Sequence, residues 1–280
     1  MCVIINTLMI LKRKIIMLDI KKTVSLLLAV IMIASLCGCS SFEAGSESQS
    51  ESETDDLPVI VEPSKKRVAI TFDDGPHNVR TKEVVDALDK YGFHATFFVV
   101  GNRVDGGVYR GGETLKYVVE HGNEIGIHGY THTAYYDDCS DEEYEYELNE
   151  TLRAIREYLP GYNVRFMRPV GGFISQERIE ASEYSIILWN VDSEDYKHAY
   201  LPDSELSDEE KAALESAIVE NVMSTVKDGA IILMHDIYLS TSRALEEILR
   251  RLYEEGYEVV TVSELLGDPM RGECYTDANS

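Results

Sequence analysis

The sequence has few cysteines and few basic residues, and each scarcity argues against a class of function. Only five of its 280 residues are cysteine, and no Cys-x-x-Cys pair occurs, which disfavours a zinc site built from thiolates. The chain has 26 basic and 50 acidic side chains, a formal net charge of −24, and no long Lys/Arg cluster. A chain this negative repels a phosphate backbone, so we expect no nucleic acid partner.

The first 39 residues have the composition of a secretory leader. Lys21-Lys22 precede an apolar run, Val24 to Leu36, that is short for a membrane span. Leu36-Cys-Gly-Cys39 resembles a bacterial lipobox, which predicts residues 1–39 as a signal peptide and Cys39 as the lipidated residue after cleavage. Met17 is an alternative start, because a complete signal follows it. An uncleaved membrane anchor is the other interpretation.

Residues 40–65 begin with a Ser/Glu-rich stretch that has no apolar period, which is typical of a flexible tether. Together with the leader, this predicts an exported protein that is lipid-anchored to the outer face of the bacterial cytoplasmic membrane. We expect a monomer. Cys139 and Cys274 are the cysteines that follow the leader, and the sequence leaves open whether they pair.

Strand and helix patterns alternate from residue 66 onwards. Apolar runs predict strands, and apolar residues at helical spacing predict helices, two of which begin at the capping boxes Ser140–Glu143 and Ser207–Glu210. This alternation predicts one α/β domain with a parallel sheet over residues 66–265, followed by a C-terminal tail, 266–280. The pattern alone does not decide between an open sheet and a barrel. The predicted strands are 68–72, 95–100, 124–127, 164–167, 185–190, 230–234 and 258–262, and the helices are 81–91, 113–120, from 140, 207–227 and 242–255.

Five polar clusters each follow a predicted strand. Each has an ordinary explanation by itself: Asp-Asp-Gly is common in turns, two histidines often lie at a surface, and a histidine after an apolar run can be part of a core. In a (β/α) barrel, however, all strand ends open on one face, and that face carries the chemistry. The five together therefore predict a site. They are Asp73-Asp74, His128-Gly-Tyr-Thr-His132, Arg168-Pro-Val-Gly-Gly172, Asp192-Ser-Glu-Asp-Tyr196 and His235-Asp236.

These residue types suit hydrolysis assisted by a metal ion. Two histidines and one carboxylate around zinc leave a coordination position open, which is typical of catalytic rather than structural sites. A second carboxylate can act as a general base, and an arginine beside it favours its ionised form. A histidine across the site can protonate the leaving group.

The ordered motifs T-F-D-D-G-P, H-x-x-x-H, R-P-x-x-G, D-x-x-D-aromatic and L-x-H resemble those of the polysaccharide deacetylases. These are the NodB homology domains of carbohydrate esterase family 4, and the likeness covers about residues 66–265. The resemblance implies a distorted, incomplete (β/α) barrel with parallel strands. It also implies hydrolysis of N-acetyl groups on an aminosugar polymer, which releases acetate and leaves a free amine.

The resemblance assigns roles to individual residues. It implies that Asp73 is the general base and His235 the general acid, with Arg168 pairing with the base and Asp195 orienting His235. It implies a divalent metal, Zn²⁺ or an ion such as Co²⁺, held by Asp74, His128 and His132. The substrate pocket would be formed by Leu233, Gly171, Gly172 and Tyr196.

Three features depart from the usual pattern of that family. Gly129 stands where a Ser or Thr hydroxyl often helps to hold the histidine loop, so we expect this brace to be missing. Tyr196 replaces a Trp and keeps an aromatic wall. Val170-Gly171 replaces a Pro-aromatic pair, and Gly171 still supplies a backbone N–H for an oxyanion.

The lipid anchor favours a cell-wall substrate, because an enzyme tethered outside the membrane meets its own wall first. We therefore expect N-acetylglucosamine of peptidoglycan as the substrate. The alternatives are chitooligosaccharide, an exopolysaccharide or O-acetylated xylan. A further alternative is a glycan-binding lipoprotein that has lost catalysis, although every required side chain is present.

Overall fold

The computed structural model describes residues 65–106, 111–198 and 203–280. The predicted signal peptide, its lipidation residue Cys39 and all but the end of the predicted tether lie outside these ranges. Within them, no helix combines the length and the apolar character needed to cross a bilayer.

The described strands form one curled parallel sheet. Its order is β6-β7-β1-β2-β3-β4-β5-β9, and β8 also pairs with β1. Each adjacent pair is parallel. Since β6 and β9 remain the two ends of this order, the sheet is an incomplete barrel, which confirms the implied fold. The strands are β1 Lys66–Asp73, β2 Thr96–Val99, β3 Glu124–Ile127, β4 Phe166–Met167, β5 Ser185–Ile187, β6 Val191–Asp192, β7 Ile231–His235, β8 Tyr257–Val259 and β9 Cys274–Tyr275.

Helices connect most successive strands and cover the sheet. The two capping boxes predicted from the sequence are formed. The side chains of Ser140 and Ser207 each accept the backbone N–H of the Glu three residues later, and the side chain of that Glu accepts the backbone N–H of the Ser. Thr261 and Glu264 form a third such box. The helices are α1 Arg80–Asp89, α2 Gly101–Val104, α3 Gly111–Glu120, α4 Asp141–Tyr158, α5 Gln176–Ala181, α6 Asp208–Met223, α7 Leu239–Glu254 and α8 Val262–Leu266.

Strands β1 and β7 pair over five residues, from Ala69 and Ile231 to Asp73 and His235. All five residues of β7 are buried, as are the last six of β1, because helices or side chains cover both faces of a parallel sheet. Phe72 stacks on Phe97 of β2 with ring centroids 5.0 Å apart. This packing fixes the strand ends, where the polar clusters begin.

The segment 266–280, which we predicted as a C-terminal tail, takes part in the sheet. Strand β9 lies within it and pairs with β5 through Ile186 and Ile187. Asp277 also bridges to Ala230 next to β7. Cys139 and Cys274 are both free thiols.

Candidate metal and catalytic site

The polar clusters meet at one edge of the sheet. Asp73 ends β1 and lies beside His235, which ends β7. On the other side of β1, β2 and β3 lead to His128, which directly follows β3. Because the carboxyl ends of parallel strands share one edge, side chains that are far apart in sequence converge there.

Asp74, His128 and His132 form a cluster of possible metal ligands. One ligand atom from each lies within 4.8 Å of the others. Asp74 Oδ1 is 2.8 Å from His132 Nε2 and 3.5 Å from His128 Nε2. Asp74 and His132 both adopt positive φ angles, 69° and 62°, which are unusual for residues other than glycine. The turn backbone therefore aims these side chains at one point.

His128 presents a defined nitrogen to this point. Its Nδ1–H donates to the backbone carbonyl of Arg168 at 2.9 Å, which leaves Nε2 facing Asp74. Burial lowers the pKa of His128, even though Asp73 and Asp74 oppose the effect. The imidazole is thus held neutral, in the form and tautomer that a metal ion binds.

Asp74 fits the role of a charged ligand. Burial favours a higher pKa for its carboxyl, but His132, His128 and His235 together hold the pKa well below its usual range. Its Oδ1 is buried and, among the described residues, accepts no hydrogen bond of good geometry. A buried carboxylate oxygen left without a donor is costly, and a divalent cation would satisfy it. The three residues therefore fit a metal such as zinc.

Asp73 is held from below by Arg168. Arg168 Nη1 donates to Asp73 Oδ1 at 2.8 Å and to Thr71 Oγ1 at 2.7 Å. Its Nε and Nη2 donate to the carbonyls of Ile187 and Leu188 at 2.9 and 3.0 Å. With its guanidinium fixed by four acceptors, Arg168 orients Asp73 and balances its charge.

His235 is oriented by Asp195 in the same way. Asp195 Oδ1 is 2.7 Å from His235 Nδ1, and Asp195 Oδ2 accepts from the His235 N–H at 2.8 Å and from Thr241 Oγ1 at 2.6 Å. Burial lowers the pKa of His235, but the fully buried Asp195 outweighs it and raises the pKa to about 9. His235 is therefore protonated near neutral pH and can give a proton to a leaving group.

A cleft of about 350 Å³ lies above these groups. Its floor contains Asp73, Asp74 and His128, with His132 and His235 on its walls. Aromatic side chains form much of the remaining wall, including Tyr135, Phe173, Trp189, Tyr196 and Tyr238. Apolar walls around a few convergent polar groups are typical of a binding site for an organic substrate.

Comparisons with known proteins agree with this geometry. The polysaccharide deacetylase family model matches residues 60–184. The peptidoglycan-N-acetylglucosamine deacetylase of Bacillus cereus is 34% identical over 211 residues, which are 72% of this chain and 89% of the relative. The chain belongs to the polysaccharide deacetylase family.

Two further relatives illustrate the range of this family. The peptidoglycan-N-acetylmuramic acid deacetylase PdaC of Bacillus subtilis is 38% identical over 205 residues, 73% of this chain and 40% of the relative. This chain thus spans about two fifths of that protein. A family 4 acetyl xylan esterase from Clostridium thermocellum, solved with a cobalt ion, is 29% identical, with a TM-score of 0.65 over 77% of this chain and all of the other.

The site residues predicted from the sequence lie in three places around the cleft. Most line it directly: Asp73, Asp74, His128, His132, Gly171, Tyr196, Leu233 and His235. Arg168 and Asp195 lie beneath it, fully buried, and act through Asp73 and His235. Gly172 does not line the cleft but packs close to Trp189, where a Cβ would lie 3.1 Å from the indole ring.

The sequence reasoning missed several residues that line or support the site. Tyr135, Phe173, Trp189 and Tyr238 line the cleft, and Glu147 contacts the histidine loop from α4. None of them carries a motif that marks it in a single sequence. Exposed aromatic residues near a polar cluster were the available signal, because Tyr135 and Phe173 follow the histidine and arginine motifs closely.

The arrangement can perform base-assisted hydrolysis with a separate acid. When bound, a divalent ion supplies Lewis-acid activation of a water molecule and of an acyl oxygen. Asp73, held by Arg168, is placed to accept a proton, and His235, held by Asp195, is placed to donate one. Leu233 is 3% exposed and offers a small apolar surface beside them.

Proposed function

We propose that this protein is a zinc-dependent deacetylase that removes N-acetyl groups from N-acetylglucosamine of peptidoglycan. The observation that carries this proposal is the relation between Asp73 and His235. They are neighbours across β1 and β7, each held by its own buried partner, beside a cluster that fits a metal ion. Amide hydrolysis needs this combination, since a proton must leave the water and another must reach the amine.

The charge of the site favours a neutral amide over an anionic ester or phosphate. Asp73 and Asp74 lie on the cleft floor, and Asp192 lines the wall. One metal ion balances part of this negative charge, and the nearby Arg168 is committed to Asp73 beneath the floor. An uncharged acetamido group therefore suits the cleft.

The experiment is acetate release from purified peptidoglycan by the zinc-loaded protein. Digestion of the treated glycan and mass spectrometry of the fragments show whether glucosamine or muramic acid has lost its acetyl group. We expect free amines on glucosamine. Acetate loss from muramic acid alone would change the assigned sugar, as the similarity to PdaC allows, and no release from any N-acetylated glycan would refute the function.

We further propose that Cys39 carries a lipid that anchors the domain to the outer face of the cytoplasmic membrane. The leader and the Ser/Glu-rich stretch that follows support this proposal. Labelling growing cells with radioactive palmitate tests it. We expect label in the wild type and none in Cys39→Ser, and equal labelling of the two would exclude lipidation at this residue.

A further inference from the structure

The loop that carries both metal-binding histidines is held by an acidic side chain from a distant helix. Glu147 lies in α4 and is only 3% exposed. Its Oε2 accepts the backbone N–H of Tyr130 at 2.5 Å and that of Thr131 at 2.9 Å. Its Oε1 accepts the hydroxyl of Thr131. One carboxylate thus collects three donors from the middle of the loop 128–132.

The carbonyl groups of the same loop are held by the start of α2. The N–H of Gly101 donates to the carbonyl of Gly129 at 2.9 Å, and the N–H of Asn102 donates to the carbonyl of Tyr130 at 3.0 Å. The backbone between the two histidines is therefore fixed through both its N–H and its carbonyl groups. Such successive N–H groups around a positive-φ residue form a concave site for an anion, and here the anion is Glu147.

Gly129 is the residue that lets Glu147 approach. Its φ is 79°, and a Cβ on it would lie 2.9 Å from Glu147 Oε2 and 2.9 Å from the hydroxyl of Tyr136. From the sequence we expected the brace of this loop to be missing, because Gly129 replaces a hydroxyl residue. That hydroxyl is absent, but another group braces the loop, and the lack of a side chain at 129 makes room for the carboxylate of Glu147.

We propose that Glu147 is a positioning residue that sets the spacing of His128 and His132 for metal binding. The two rings lie 5.2 Å apart, and both Nε2 atoms face Asp74 Oδ1. Without Glu147, two partly buried N–H groups lose their acceptor, so the loop relaxes toward water and separates the histidines. Residues that orient metal ligands typically contribute 10- to 100-fold to metal affinity.

The experiment measures zinc affinity of the full-length chain in detergent by competition with a chelator. We expect Glu147→Ala to bind zinc 10- to 100-fold more weakly than the wild type, and Glu147→Gln to lose less because it keeps one acceptor oxygen. Glu150→Gln is the matched control. It removes the same charge from α4, but Glu150 pairs with Arg153 and not with the loop. The absorption spectrum of bound Co²⁺ reports ligand geometry and should change in the Glu147 variants only.

A second pair of variants tests the same contact from the loop. Gly129→Ala should weaken zinc binding, because its Cβ displaces the carboxylate. Gly92→Ala is its control, because Gly92 has a similar φ of 66° but nothing within 4 Å of an added Cβ. This substitution strains the backbone in a similar way without contacting the metal site. This pair decides the question should the Glu147 variants fail to fold.

This inference rests on the metal site of the proposed function, and the two can fail separately. Wild-type zinc affinity and cobalt spectrum in both Glu147→Ala and Gly129→Ala would overturn the role of Glu147 and leave the deacetylase proposal intact. A wild-type protein that binds neither zinc nor cobalt would overturn both.

Discussion

Arg168 Nη1 donates to Asp73 Oδ1 at 2.8 Å, and neither side chain has more than 4% of its surface exposed. The guanidinium also lies 4.3 Å from the ring centroid of Phe98, so an aromatic ring packs against the charged group. A carboxylate buried this deeply needs a fixed counter-charge. Arg168 therefore serves both the stability of the sheet and the chemistry of the cleft.

Removing Arg168 should reduce both properties. We expect Arg168→Met to lower the free energy of unfolding by about 3–5 kcal/mol, because it leaves the Asp73 charge buried without a partner. Urea unfolding of the metal-stripped protein measures this, and acetate release should fall at least ~100-fold. Arg165→Met is the control, since Arg165 pairs with a fully exposed Asp268 and should change little. Equal stability of the two variants would contradict the role of the buried pair.

The two adjacent carboxylates should separate by function. We expect Asp73→Asn to retain stoichiometric zinc and lose activity by about 10²- to 10⁴-fold, as expected for loss of a general base. His128→Ala should lose zinc as well, because its Nε2 faces the metal site. Metal analysis after gel filtration and acetate release from peptidoglycan distinguish the two variants. If both bind zinc as the wild type does, the division of roles is wrong.

The pH dependence of activity should report the pair of His235 and Asp195. The pKa of His235 is raised from 6.5 to about 9, so the protonated acid is present below about pH 9 and is lost above it. In Asp195→Asn the pKa of His235 should fall, since only Asp73 and Asp74 then oppose the effect of burial. The alkaline limb of the kcat profile should therefore move to lower pH. An unchanged limb would assign it to another group.

The raised pKa of His235 also predicts how the free energy of unfolding depends on pH. The folded state binds the His235 proton more tightly than the unfolded state, so this contribution is complete below about pH 6.5 and disappears as pH rises through about 9. Urea unfolding at pH 6 and pH 10 should show a smaller loss of stability in Asp195→Asn than in the wild type. A loss of the same size in both would show that the pair does not contribute.

Much of the fold was predictable because local signals and burial agree. The apolar run Ile231 to Met234 forms a strand buried on both faces, and the capping boxes at Ser140 and Ser207 start helices where expected. The short elements were missed, such as α5, α8 and β9. They are two to six residues long, so no periodicity can develop, and tertiary pairing determines them.

The site was predictable to the extent that its residues carry charge at strand ends. Glu147 was not, because nothing local distinguishes it from the other glutamates of α4, most of which are exposed. Only the fold brings Glu147 to Tyr130 and Thr131, which are 17 and 16 residues away in sequence. Gly129 illustrates the same limit, since the sequence shows a missing hydroxyl but not the carboxylate that occupies its place.

The aromatic mouth of the cleft should contribute to binding of a polymeric glycan. Phe173 is 52% exposed and packs edge-on against Tyr135 with ring centroids 5.4 Å apart. Such exposed rings lose water when a sugar ring covers them. We expect Phe173→Ala to raise KM several-fold with little change in kcat, measured as acetate release over a range of glycan concentrations. Tyr253→Ala is the control, because Tyr253 is similarly exposed but packs against Tyr91 and Phe93 away from the cleft. A lower kcat at unchanged KM in Phe173→Ala would instead place Phe173 among the residues that support the chemistry.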